Sequence, residues 1–185
     1  MKRVVLVIIL ACILSPLTAQ AGGQYYSLSA SFFPYLSIPH YQDDIPMRTA
    51  AGGEVSIGVL GFQKSHYDFS LEFRYRGTTA SITHGFYRAR GFDSVGADLR
   101  FAYQLREKLA LFTTVGTEIN FYRNVDSAFA SFTTSFGVEL LLIQSPTYTL
   151  DLIFPLTIHL RKEITALQPS VGLRYRIFPT WGGRQ

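Results

Sequence analysis

Residues 66–76 read H-Y-D-F-S-L-E-F-R-Y-R, and the alternation in this stretch decides the fold. Tyr67, Phe69, Leu71, Phe73 and Tyr75 share one parity, while Asp68, Ser70, Glu72, Arg74 and Arg76 share the other. A strand sends successive side chains to opposite faces, so this segment has one apolar face ending in aromatics and one charged face. A helix, with its period near 3.6, would mix the two sets. About ten residues of such alternation is what a tilted strand needs to cross a bilayer.

Working outward, the same pattern predicts strands at residues 24–35, 51–62, 92–105, 109–122, 128–143, 147–160 and 167–178. In the first, Tyr26, Leu28, Ala30 and Phe32 oppose Ser27, Ser29 and Ser31. Further along, Val95, Ala97, Leu99, Phe101 and Tyr103 oppose Gly96, Asp98, Arg100, Ala102 and Gln104. Short connections at 63–65, 106–108 and 144–146 alternate with longer ones at 37–50, 77–91, 123–127 and 161–166. Eight strands, short turns at one end and longer loops at the other describe an outer-membrane barrel. A barrel of eight strands has an interior just wide enough for side chains, which suits the Gly, Ser and Thr on the polar parity. The expected fold is all-β: one closed, eight-stranded, antiparallel, up-and-down transmembrane β-barrel. Pro155 falls within the seventh strand, where it removes a ladder hydrogen bond, so a bulge or kink is expected there.

Periodicity alone leaves open a soluble barrel with its apolar face inward. Three features favour lipid outside. The apolar faces end in Tyr26, Tyr67, Tyr75, Tyr103, Phe121, Tyr148 and Tyr175, as interfacial girdles do. The polar faces carry glycines but no lysine: Lys64, Lys108 and Lys162 all fall in turns or loops. The last strand, S-V-G-L-R-Y-R-I-F at 170–178, resembles the C-terminal assembly signal of bacterial outer-membrane barrels. The whole chain after its leader resembles the small outer-membrane proteins of the OmpX and OmpA-barrel type, with OmpW as a cousin. That resemblance implies the bacterial outer membrane as location, outer-membrane lipid as surroundings, and recognition by the barrel-assembly machinery through Gly172, Tyr175, Ile177 and Phe178. One departure is that residues 179–185 follow the terminal aromatic.

The N-terminus fits this setting. Lys2-Arg3, an apolar run at 4–14 and the small-residue end Ala19-Gln20-Ala21 read as a cleaved signal peptide over 1–21, with the barrel domain at 22–185. The run is too short for a spanning helix. A retained anchor is one rival reading, and a lipoprotein modified at Cys12 is another. Cleavage removes Cys12, the only cysteine, so no disulfide supports the fold. Removing Lys2 and Arg3 leaves 15 basic against 13 acidic side chains, too even for a nucleic-acid binder.

Parity assigns a lumen-facing polar set: Glu54, Asp68, Glu72, Arg74, Arg76, Asp98, Arg100, Glu118, Glu139, Asp151, His159, Arg174 and Arg176. An arginine on the lipid face would cost roughly 2–4 kcal/mol at the midplane, which places these residues inside. They read as an ion-pair network filling the lumen, with a narrow polar pathway as the alternative. The loop at 77–91 carries His84, Phe86, Tyr87, Arg88 and Arg90, a mixture suited to a host or envelope ligand or to anchoring at lipid phosphates. No Cys/His spacing suggests a metal, no glycine loop cradles phosphate, and no Ser-His-acid arrangement marks a catalyst, so neither cofactor nor enzyme is expected. The expected role is structural or interactive, through surface loops, with porin-like or OmpW-like passage of small solutes as the alternative.

Overall fold

A computed structural model describes residues 23–39, 48–79, 81–84, 87–122, 128–161 and 164–179. The leader reading over 1–21 lies outside the described residues. The strands are β1 (Gly23–Pro39), β2 (Arg48–Lys64), β3 (Tyr67–Thr78), β4 (Ser81–His84), β5 (Tyr87–Arg90), β6 (Phe92–Arg106), β7 (Leu109–Tyr122), β8 (Ala128–Gln144), β9 (Tyr148–Leu160), β10 (Ile164–Pro169) and β11 (Val171–Ile177). Each main strand pairs antiparallel with its sequence neighbours, and β10 and β11 together form the eighth stave. The sheet closes because β1 pairs with β2 on one side and with β10 and β11 on the other. No sheet edge is left along this wall, and closure is what a hydrocarbon surround requires of strands.

The opening stretch behaves as its parity demands. Asp68, Ser70, Arg74 and Arg76 are buried in the lumen, whereas Tyr67, Phe69, Phe73 and Tyr75 are exposed on the outer wall. The outer face continues through Leu28, Phe32, Ile57, Leu99, Val115, Phe136 and Leu173. Phe32, with 76% of its surface exposed, would be intolerable in water as part of such a continuous apolar belt but is at home in lipid. Towards the short-turn end, Tyr67 and Tyr103 stack at 5.3 Å and Tyr148 and Tyr175 at 5.6 Å, as parts of an interfacial girdle.

Three details differ from the expectations above. The connection at 77–91 is no plain loop, because β4 and β5 form a small hairpin in which His84 pairs with Tyr87 and Ser81 with Arg90. Both strands flanking loop 37–50 run into it, β1 as far as Pro39 and β2 from Arg48. The third difference concerns Pro155. It makes no bulge: Gly137 pairs with Pro155 in register. On its other side the register is also the same before and after the break between β10 and β11, which sets Pro155 opposite Ser170. Ser170 donates its backbone N–H to the Pro155 carbonyl at 2.8 Å, and proline, lacking an N–H, cannot return the bond.

A second proline pair compounds this. The pairings Leu36 with Leu167 and Phe32 with Val171 share one register, which sets Pro34 opposite Pro169. Both are donor-less, so the eighth stave loses ladder bonds to both neighbours at one place. The bulges lie elsewhere, towards the short-turn end, at Leu60 with its φ of 55°, near Leu105 and at Leu142. Each inserts one extra residue into one strand, re-aiming the wall at the barrel rim.

Candidate functional site

The described lumen is the candidate site, and it is built by the inward parity of the eight staves. All thirteen polar residues assigned to the lumen from the sequence point inward, from Asp68 and Arg176 near the short turns to Glu54, Arg76 and His159 near the loops. They separate into two groups. In the group nearer the loops, Arg76 is fully buried and donates from Nη2 to Glu54 Oε2 at 3.0 Å and from Nη1 to Glu118 Oε2 at 3.0 Å. His159 Nδ1 lies 2.9 Å from Glu118 Oε1, and its Nε2 lies 3.1 Å from Gln168 Oε1. Arg74 bridges towards the barrel centre, with Nη1 3.2 Å from Asp98 Oδ2 and Nη2 donating to Thr133 Oγ1 at 3.1 Å.

The second group holds Arg100, Arg174 and Arg176. Arg100 meets Glu139 at 2.6 Å, and Arg174 meets Glu72 at 2.9 Å. Arg176 spans Asp68 at 2.9 Å and Asp151 at 2.8 Å. Tyr25 donates its hydroxyl to Asp68. Each carboxylate here contacts one or more guanidiniums, which is how a buried charge is tolerated. Between the groups is a central cavity of about 40 Å3 lined in part by Arg74, Asp98, Arg100 and Pro155, room for about a water or two.

Aromatic residues facing the lumen were not read from the sequence. Tyr25, Phe33, Phe92 and Phe112 lie buried on the polar parity, together with Tyr35. Three of them lie over glycines of the neighbouring strand: Tyr25 over Gly61, Phe33 over Gly52 and Phe112 over Gly137. A Cβ on Gly61 would come within 2.5 Å of the Tyr25 ring, so glycine is needed for the ring to lie flat against the wall. Arg100 stacks on Phe112 at 4.5 Å and Arg76 sits 5.6 Å from Phe33, so the rings also pack against the buried cations. At the loop end, Phe33, Tyr35, Phe92 and Ala166 form a buried apolar cluster, with the Tyr35 and Phe92 rings 5.2 Å apart and Tyr35 5.6 Å from His159.

Of the loop residues singled out above, Phe86 lies outside the described residues, and only the backbone of His84, Tyr87, Arg88 and Arg90 is described. That backbone places Arg88 across from Thr83 and Arg90 across from Ser81 in the β4–β5 hairpin. Among the described residues, no cluster of three or more His, Cys, Asp or Glu could hold a metal ion.

No family model matches the chain, and no curated protein is detectably similar in sequence. Solved structures are similar in fold. Neisserial surface protein A matches with a TM-score of 0.54 at 12% identity, covering 84% of this chain and 98% of the other. The attachment invasion locus protein Ail of Yersinia pestis, in complex with the heparin analogue sucrose octasulfate, matches with a TM-score of 0.52 at 11% identity, covering 83% and 98%. A second structure of Ail gives a TM-score of 0.50 at 11% identity over the same shares. The chain thus has the fold of the small eight-stranded outer-membrane barrels. With its continuous apolar belt, it is an integral protein of the bacterial outer membrane.

Proposed function

We propose that the barrel is a closed membrane anchor whose work is done by its outward-facing loops, in contact with host or envelope partners. The observation that carries this reading is the filled lumen. Beyond a vestibule of about 340 Å3 at the short-turn end, buried ion pairs fill the barrel, the central cavity is about 40 Å3, and Phe33, Tyr35 and Phe92 cluster at the loop end. A conducting pore needs a continuous wet path with sites weak enough to release what they bind. Guanidiniums locked to carboxylates at 2.6 to 3.0 Å favour a packed core instead.

The β4–β5 hairpin supports the second half of the reading, because it is a two-stranded sheet separate from the barrel sheet and carries Arg88 and Arg90. Paired arginines suit an anionic partner such as a sulfated glycan or a lipid phosphate. The similar barrel Ail has been described with a sulfated sugar, which gives a probe of that chemistry.

Conductance of the refolded protein in a planar bilayer tests the proposal, alone and with Asp98→Ala and Arg100→Ala. A silent bilayer from a heat-modifiable, folded barrel is the expected result. Discrete openings that change with those substitutions would overturn it and make passage of small solutes the function.

A further inference from the structure

At the short-turn end two cations stand on the outer wall rather than in the lumen. Lys64 pairs with Tyr67 across β2 and β3, and Tyr67 pairs with Tyr103 across β3 and β6, so the three share one row on the outward parity. The bulge at Leu105 brings Arg106 opposite Leu109, off the inward parity of Gln104. The vestibule inside shows the same division: Gln63, Gln104, Glu107 and Lys108 line it, and Lys64 and Arg106 do not.

These two cations differ from the arginines of the lumen. Both are exposed, and neither has a carboxylate partner among the described residues. Tyr67 and Tyr103 lie between them with rings 5.3 Å apart, and their hydroxyls have no hydrogen-bond partner among the described residues either. Nearer the loop end of the same wall, Tyr75 instead donates to Asp93 at 3.0 Å. The exposed His66 completes the patch, its ring 6.3 Å from Tyr103. On the next row towards the membrane centre, Phe62, Phe69 and Phe101 lie side by side and exposed.

We propose that this patch binds the headgroup of an anionic glycerophospholipid in the periplasmic leaflet. Short turns of outer-membrane barrels face the periplasm, which puts the patch at the headgroup level of that leaflet. An ammonium and a guanidinium flanking two phenols supply charged and neutral donors for one phosphodiester. The phenylalanine row gives the acyl chains an aromatic floor, which a soluble anion would leave unused. The lipid is anionic because a zwitterionic headgroup brings its own ammonium against Lys64 and Arg106. The site is independent of what the loops bind and of whether the lumen conducts.

Native mass spectrometry of the refolded barrel in nonionic detergent tests this, with phosphatidylglycerol as the probe and phosphatidylcholine of the same chains as the comparison. Saturable retention of one phosphatidylglycerol is expected, about tenfold or more tighter than phosphatidylcholine. Changing Lys64→Gln and Arg106→Gln together is expected to weaken retention about tenfold or more. Lys108→Gln, a charge lost at the same end but on the vestibule side, is expected to leave it unchanged. Equal retention of the two lipids would overturn the proposal, since packing on the phenylalanine row alone would then explain binding. So would a comparable loss in Lys108→Gln, the mark of diffuse charge, or displacement by millimolar inorganic phosphate, the mark of a free-anion site. Should the double variant fail to give a heat-modifiable barrel, Arg106→Gln alone decides: a weakening of about threefold or more is expected, and unchanged affinity overturns the site.

Discussion

Replacing Arg76 with methionine is the sharpest test of how the lumen is held together. Arg76 is fully buried, with its Nη2 and Nε on Glu54 at 3.0 and 3.2 Å and its Nη1 on Glu118 at 3.0 Å. Methionine keeps much of the volume and removes the charge. Glu118, 2% exposed, then retains Arg74 at 3.6 Å and His159, while Glu54 keeps Arg74 only at 4.0 Å. Removing one partner of a buried pair costs about 3–5 kcal/mol, mostly because the other partner stays charged and dry. The loss should therefore shrink when the stranded partner is neutralised too. Adding Glu118→Gln to Arg76→Met is expected to recover about 1–3 kcal/mol as a coupling energy. Urea unfolding of the refolded barrel in lipid vesicles, run on the four members of the cycle, gives both numbers. A loss below about 1 kcal/mol for Arg76→Met, or a coupling near zero, would mean that the pairs are incidental contacts in a hydrated lumen.

Two further changes examine the wall. Leu99, half exposed on the outer face midway along β6, is expected to cost about 2–4 kcal/mol as Leu99→Arg in vesicle unfolding, and a cost near zero would mean that this face meets water. Gly116→Ala would put a Cβ 2.2 Å from the Ala97 carbonyl and 2.2 Å from Asp98 Oδ1, so a loss of about 1–3 kcal/mol is expected, and an unchanged urea midpoint would contradict the packing described.

The sequence made the wall readable because one strong period ran through it. Parity at residues 66–76 placed Asp68, Arg74 and Arg76 inside without any knowledge of partners, and the same rule placed Arg100 and Glu139. What parity could not supply was register. Arg76 meets Glu118 across 42 residues, and Arg176 meets Asp68 across 108, and no local pattern announces either pair. The inward aromatics were missed because Tyr25 and Phe33 look like more of the apolar belt. Their signal was a glycine at the matching place on the next strand, Gly61 or Gly52, legible only once β1 and β2 are aligned. The β4–β5 hairpin was missed for a different reason, since arms of four residues are too short for alternation to stand out from a polar loop. Of the bulge or kink expected at Pro155, the bulge is absent because a missing N–H removes a bond without adding a residue, and only an added residue shifts register.

The prolines leave the carbonyls of Pro34, Pro169 and Ser170 each turned towards a nitrogen that has no hydrogen to give. In hydrocarbon each such carbonyl left dry would cost several kcal/mol, so the bilayer cannot be what solvates them. The nearest polar medium is on the other side of the wall, where Pro155 borders the central cavity. The unmatched carbonyls lie in the wall beside the exposed Phe32 and Leu156, so the apolar belt is continuous there while the backbone ladder beneath it is not. Local opening of the barrel is therefore expected to begin beside the eighth stave rather than between β3 and β6, whose ladder runs without a break.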